Sequence, residues 1–359
     1  MARPAQARLN LAALRHNVGV ARALAPRARV MAVVKANAYG HGAVTIAGAL
    51  QGEVDALAVA CIEEALELRF AGIDTPILLL EGVFSAAELA TVSQLDLWMT
   101  IDNERQLRWL EEASLPLPVT CWLKVDTGMN RLGVTPASAP LFLQRLRATP
   151  NAQGDIVTST HFACADDVHS PRTPQQLAKF DALALDTPRS AANSAGVLAW
   201  PQSHYEWVRP GYMLYGNSPM LHEHANASAL QPVMTLVSAV IALREVAAGE
   251  SVGYGATWVA QRPSRIATVA IGYGDGYPRG APNGTPVLVN GRRAPLAGRV
   301  SMDMITVDVT ELPDVQPGAE VVLWGAGLPQ SEVAQYANTL GYELTTRMPA
   351  RTPRIVVNA

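Results

Sequence analysis

The sequence has little charge and no excess of base. Its 28 lysines and arginines stand against 31 acidic residues, a net charge of −3 over 359 residues. Such a balance excludes the dense positive surface needed to hold nucleic acid or an anionic membrane, and neither is expected as a partner. No run of about 18 apolar residues occurs, so no membrane-spanning helix is expected. The opening MARPAQARLNLAALRHN lacks the apolar core of a secretory signal. The three cysteines, Cys61, Cys121 and Cys164, are odd in number and far apart. They make neither a disulfide framework nor a zinc pattern, so no metal site is expected and a reducing cytoplasm is the simplest location. What the chain does have is apolar material, 49% of its residues, which suffices for one large core or two ordinary ones and argues against disorder.

From about residue 29 to about 217 short apolar, β-branched runs alternate with longer segments of helical spacing. RVMAVVKA, ALAVAC, PILLLEG, LDLWMTI, VTCWLKVD and DIVTSTHFA are the six clear runs, and RSAANS and EWVRPG are weaker ones. They are nearly continuous in hydrophobicity, as strands buried on both faces are. About eight βα units predict an α/β fold with an N-terminal (β/α)8 barrel of the TIM type, although an open doubly wound sheet has similar local patterns. The helix after the sixth run is predicted to start with Thr173 as N-cap and Pro174 in the first position. Near residue 225 the pattern changes to short strands between Gly and Pro turns, with Asn290-Gly291 as a hairpin pair. One helical segment, QSEVAQYANTLG, stands out there. The expected domains are therefore residues 1–227, the barrel, and 228–359, a mostly β domain, with a linker at 221–230. Residues 1–10 read as a strand available to the second domain.

Barrel enzymes carry their chemistry at the carboxyl ends of the strands. The first strand ends at Lys35, in AVVKANAYGHG. A lysine there is either a nucleophile or simply a side chain snorkelling from a strand end. Further strand ends bring Lys124, Asp126 and Arg131 (KVDTGMNRLG), His161 (THFACADD), Asn193 and Ser194 (NSAG), and Arg209 with Gly211 and Tyr212 (VRPGYMLYG). Gly-rich strand-to-helix turns offer backbone N–H groups to a phosphate. Lysine, arginine and a phosphate cradle on one rim suggest a phosphorylated aldehyde cofactor. In the second domain Tyr254 lies between glycines in VGYGATW, where a core or turn role is the commoner one. Tyr273 lies in GYGDGYPR and Met302 in GRVSMDM.

Taken together, these motifs resemble those of bacterial alanine racemases, over essentially the whole chain from residue 8 to residue 354. The resemblance implies a barrel followed by a β domain, a head-to-tail homodimer with shared active sites, and pyridoxal 5′-phosphate at the barrel mouth. It implies that Lys35 carries the cofactor covalently and, once freed, is the base on one face of the α-carbon. Tyr254 of the partner subunit would be the base on the other. Tyr39, Ser194, the N–H groups of Gly211 and Tyr212, and Tyr342 would hold the phosphate, beside Asn193. Arg209 would face the pyridine nitrogen, and His161 would lie between Arg209 and Tyr254. Arg131 would approach the cofactor's phenolic oxygen and the substrate carboxylate, with Lys124 a candidate for carbamylation that fixes it. Met302 of the partner subunit would offer its backbone N–H to the substrate carboxylate, and Tyr273 and Tyr342 would narrow the entrance. Ser301 stands where many relatives have cysteine, and the tail TTRMPARTPRIVVNA departs from commoner endings.

The expected activity is thus the cofactor-dependent interconversion of L-alanine and D-alanine, an isomerase reaction. Inversion needs a proton removed from one face and returned on the other, which two opposed bases do better than one. A phenol, ordinarily ionising near about 10, works as a base only with cations close by. Arg209 is a donor only and cannot take a proton from the pyridine nitrogen, which weakens the electron sink and shortens the carbanion's life. Three rivals remain open at this stage: a decarboxylase of a diamino acid, which would place an acid where Arg209 stands; a non-catalytic binder of the same cofactor with a single barrel; and a racemase of another small amino acid such as serine.

Overall fold

A computed structural model describes residues 3–358 of the chain. It divides into two compact units, one of residues Arg15–Ala38 and Gly42–Leu230, the other of the chain up to Leu14, Tyr39–His41 and everything from Gln231 on.

The first unit is built on a closed barrel of eight parallel strands. With Gln6–Asn10 of the other unit as β1, these are β2 (Arg29–Val33), β3 (Ala56–Val59), β4 (Ile77–Leu79), β5 (Leu97–Ile101), β6 (Val119–Lys124), β7 (Ala152–Ser159), β8 (Arg189–Ser190) and β9 (Trp207–Val208). The barrel rather than an open sheet follows from one non-local pairing, Arg29↔Trp207 and Val30↔Val208, which joins first strand to last. β3 and β4 are buried along their whole length, and their continuous apolar character follows from that. The helix expected to begin at Thr173 runs from Arg172 to Asp181 with Pro171 at its N-cap. That corrects the start by two residues. Pro174 is still tolerated, because its missing N–H lies among the first four, which have no intrahelical acceptor.

The second unit is a β structure centred on β10 (Met234–Val246). β1 pairs antiparallel with β10 (Gln6↔Val237, Arg8↔Thr235) and parallel with Arg354–Asn358. Glu320–Trp324 lies against the other edge of β10, and its second half pairs with Ser264–Val269. β1 alternates in burial, sending Ala7 and Leu9 into a core that also holds Leu236 and Trp324. Asn290 and Gly291, at φ 48° and 78°, join strands paired at Val289↔Arg292, a two-residue turn that needs positive φ at both positions. Two elements lie outside the expectation of a single helix there: a second short helix, Gly341–Thr346, and the edge strand Arg354–Asn358. No helix among the described residues is long and apolar enough to cross a membrane.

Candidate active site

Lys35 lies two residues beyond β2 and begins an unusual turn. Ala36, Asn37, Ala38 and Tyr39 all have φ between 52° and 55°, one turn of left-handed helix in residues with side chains. Each such residue costs about 1–2 kcal/mol, so the surroundings must impose the shape. Ala38 donates to Val34 O (2.8 Å) and Gly42 to Asn37 O (3.0 Å). The Asn37 Oδ1 accepts from Ala43 N–H (2.7 Å), at the start of helix Ala43–Leu50. The Glu64 carboxylate accepts from Ala36 N–H (2.6 Å) and Ala60 N–H (2.8 Å). Beyond the turn, Tyr39–His41 belong to the second unit. Gly40 O there accepts two hydrogen bonds from the Arg354 guanidinium, and the Tyr39 ring sits 6.2 Å from that of Tyr342. Burial pushes the Tyr39 phenol up to about 12.

The carboxyl ends of β6, β7 and β9 bring cations together. Arg209 is buried, and its guanidinium donates to Ser190 Oγ, Thr160 O (2.6 Å) and Ala191 O (3.4 Å). Burial lowers it only to about 10, so it stays charged at neutral pH. Lys124 ends β6 and is pushed down to about 8, first by burial and then by Arg209. His161 is held well below the ordinary imidazole value by burial and by Arg209, Lys124, Arg131 and Lys35, so its ring is neutral. Lys124, Asp126, Met129, Arg131, Thr160 and His161 line one cleft. Asp126 shapes the loop that carries Arg131: its Oδ1 accepts from the N–H groups of Gly128, Met129 and Asn130 at 2.8–3.1 Å.

A third group follows β8. Ser194 starts helix Ser194–Ala199, and the Asn193 side chain caps that helix by accepting from Gly196 N–H (3.0 Å). Buried Ser194 Oγ accepts from Gly211 N–H (2.9 Å) and Met213 N–H (3.2 Å). Two backbone N–H groups thus converge on one hydroxyl beside Tyr212. Asn193 acts in the structure as the cap of the helix that begins with Ser194.

In the second unit Tyr254 is 73% exposed, which rules out a core role. Gly253 (φ 77°) and Gly255 (φ 73°) hold it on a tight turn. Tyr273, Met302 and Tyr342 are exposed as well. Tyr273 and Met302 stand on one platform, where Tyr273 N–H donates to Ser301 O (3.0 Å) and Gly274 N–H to Met302 O (2.9 Å). The Ser301 hydroxyl donates to Met304 O (2.7 Å), so serine suffices to close this turn. Fully buried Asp275 braces the platform, receiving Gly272 N–H and the guanidinium groups of Arg3 and Arg351.

Three supporting residues escaped sequence reasoning: Glu64, Asp102, a buried carboxyl group raised by burial and near Lys124, and Gln176. The Gln176 amide accepts from Ala163 N–H (2.9 Å) and donates to His161 O (2.9 Å) and Thr127 Oγ1 (3.3 Å). The contacts of Glu64 to Ala36 and of Gln176 to Ala163, His161 and Thr127 span 13 to 49 positions, which leaves no local pattern in sequence.

The barrel with its polar carboxyl rim, followed by a β unit that presents exposed tyrosines, defines a barrel enzyme of the two-domain kind. Family models of the alanine racemase N-terminal and C-terminal domains match residues 9–219 and 233–356. The chain is 52% identical to the biosynthetic alanine racemase of Pseudomonas aeruginosa over 98% of its own length and 99% of that protein's. It is 51% identical to the catabolic alanine racemase of Pseudomonas putida, over 98% of each. The crystal structure of the Pseudomonas aeruginosa biosynthetic enzyme superposes with a TM-score of 0.95 over 99% of each chain. That of Bartonella henselae alanine racemase with covalently bound pyridoxal phosphate does so with 0.87 at 31% identity, over 99% of each chain. The chain belongs to the alanine racemase family.

Proposed function

We propose that this isomerase interconverts L-alanine and D-alanine with two bases, Lys35 and Tyr254 of the partner subunit, in a homodimer whose sites are shared. The observation that carries the reading is the rim itself, where Lys124, Asp126, Arg131 and His161 line one cleft and the cations Arg209, Lys124, Arg131 and Lys35 help to hold His161 neutral. Pyridoxal 5′-phosphate fits the residues present: a lysine amine, the Ser194 hydroxyl beside the Gly211 and Tyr212 amides, and a buried donor-only guanidinium. Tyr39, Tyr212 and Tyr342 would complete the phosphate's surroundings. When bound, the cofactor supplies the electron sink that makes the α-proton removable.

The protein's own part is positioning and proton handling. Arg209, held by three oxygen acceptors, keeps its charge and, facing the pyridine nitrogen of a bound cofactor, would offer it no acceptor to keep it protonated. Neutral His161 can pass a hydrogen bond from Arg209 towards the Tyr254 phenol without adding a charge. Arg131, on the loop organised by Asp126, takes the substrate carboxylate together with the Met302 N–H of the partner subunit, while Tyr273 and Tyr342 narrow the way in. Burial lowers Lys124 to about 8, which raises its share of neutral amine, the form that adds carbon dioxide, and the resulting carbamate would pair with Arg131.

The reading is tested by following D-alanine formed from L-alanine, against carbon dioxide released from lysine or diaminopimelate. Borohydride reduction followed by peptide mapping should place the cofactor on Lys35. Mixed Lys35→Ala and Tyr254→Ala proteins, each inactive alone, should regain part of the activity as hybrid dimers. No regain after verified subunit exchange would refute shared sites.

A further inference from the structure

The geometry points to Glu64 as a positioning residue that holds the left-handed turn after Lys35 and thereby the direction in which the Lys35 amine points. The inference rests on the assignment of Lys35 made above.

Glu64 lies in the first turn of helix Ile62–Phe70, which follows β3. Both of its oxygens are committed to backbone amides. Oε1 takes Ala36 N–H, the residue directly after Lys35, and Oε2 takes Ala60 N–H, the residue directly after β3. One carboxylate therefore ties together the exits of two adjacent strands, beyond the last rung of their ladder, where Val34 N–H donates to Ala58 O (2.8 Å). Four consecutive residues with positive φ do not keep that shape unaided. Asn37 anchors the far end of the turn through Ala43 N–H, and Glu64 anchors the near end. Hydrogen bonds to an ionised acceptor are the stronger kind, and this one sits one residue from the amine whose aim matters. A side chain at this place that merely capped its own helix would have no reason to reach Ala36, which is 28 positions away.

Glu64→Gln keeps size and shape, but its amide nitrogen meets an N–H head-on where an oxygen stood. A displacement of Lys35 by about 1 Å predicts a fall in kcat of about 10- to 100-fold, with KM nearly unchanged because the carboxylate-binding groups are elsewhere. Three readouts separate aim from general stability. Amide exchange in the peptide spanning residues 35–42 should quicken while the rest of the barrel keeps its protection. With α-deuterated alanine the isotope effect should grow in the reaction direction in which Lys35 removes the proton and shrink in the other, since only one of two bases has moved. Glu63→Gln, which removes a neighbouring exposed charge from the same helix end, should leave kcat and exchange as they are. If Glu64→Gln does not fold, Glu64→Asp serves: it is too short to reach both amides and should show the same pattern at smaller amplitude. The proposal is overturned by wild-type kcat in the folded variant, by lost kcat with unchanged exchange at 35–42, by isotope effects that change equally in both directions, or by an equal loss in Glu63→Gln. Failure of the Lys35 reading shows differently, as a borohydride adduct at another residue in the unsubstituted protein.

Discussion

Replacing Gly40 with alanine should be among the costliest single-methyl additions in this molecule. Gly40 has φ +81°, and a Cβ built on it would lie 1.7 Å from Thr345 O and 2.6 Å from Thr345 C. Both are backbone atoms that no rotamer change can move. Gly52 provides the matched comparison, with φ +76° and nothing within 4 Å of the added carbon. Gly52→Ala therefore measures the conformational penalty alone, about 1–2 kcal/mol. Gly40→Ala adds overpacking of about 1–3 kcal/mol. It also disturbs the two guanidinium hydrogen bonds from Arg354 to Gly40 O, at 3.1 and 2.9 Å, each worth about 1.5–3 kcal/mol. The expected total is about 4 kcal/mol or more, at least ~2 kcal/mol beyond Gly52→Ala. Urea unfolding followed by tryptophan fluorescence gives both values, and activity should survive in Gly52→Ala while falling in Gly40→Ala, whose neighbour is Tyr39. Equal unfolding midpoints for the two variants would refute the close approach of Gly40 to the 341–346 helix.

As the unmodified amine, Lys124 carries a pH signature. Its folded value, about 8, lies below that of the unfolded chain, so it disfavours folding by about 2 kcal/mol below pH 8, allowing for partial exposure. That penalty should fade as pH rises from 8 to 10.5; Lys124→Met should be the more stable protein at pH 7, with the gap closing by pH 10, and a pH-independent gap in urea midpoints contradicts the assignment. Ser194→Ala strands the Gly211 and Met213 amides, and should weaken pyridoxal phosphate binding at least tenfold in fluorescence titrations of the apoprotein; unchanged affinity removes Ser194 from the cradle. Gln176→Leu leaves Ala163 N–H, His161 O and Thr127 Oγ1 without their partner, and should cost about 3 kcal/mol in urea unfolding; a cost under about 1 kcal/mol would show that the network is dispensable.

Much of this arrangement is legible in the sequence, for physical reasons. Strand ends with polar residues after apolar runs, such as AVVK and VTCWLK, report which rim carries chemistry, because a parallel strand must be buried on both faces and only its end is open. The second unit shows itself by turn residues, Asn290-Gly291 above all. Closure of the barrel is not legible: the local patterns of open and closed sheets are alike, and the deciding contact joins Arg29 to Trp207 across 178 positions. The helix Gly341–Thr346 escapes because six residues with two threonines carry no helical period. The strand Arg354–Asn358 escapes because it is an edge, with four of its five residues exposed, so no burial pattern is written into it.

Arg209 shows where the boundary between the two kinds of information lies. Its residue type alone says that it donates hydrogen bonds and never accepts them, which bears directly on the protonation of a pyridine nitrogen. Its burial and its carbonyl and hydroxyl partners could not be read from VRPGYMLYG, yet they decide whether that property counts. An exposed guanidinium would be hydrated and free to swing aside, whereas one held by Ser190, Thr160 and Ala191 presents its remaining N–H groups in a fixed direction. Burial lowers it only to about 10, and the charge therefore survives desolvation at any pH near neutrality. The same burial, acting on His161 beside it, removes the charge there instead. One desolvated rim thus yields a fixed cation and a neutral relay from two groups that would both respond to their surroundings in water, and the difference follows from how far each group's ordinary value lies from neutral pH.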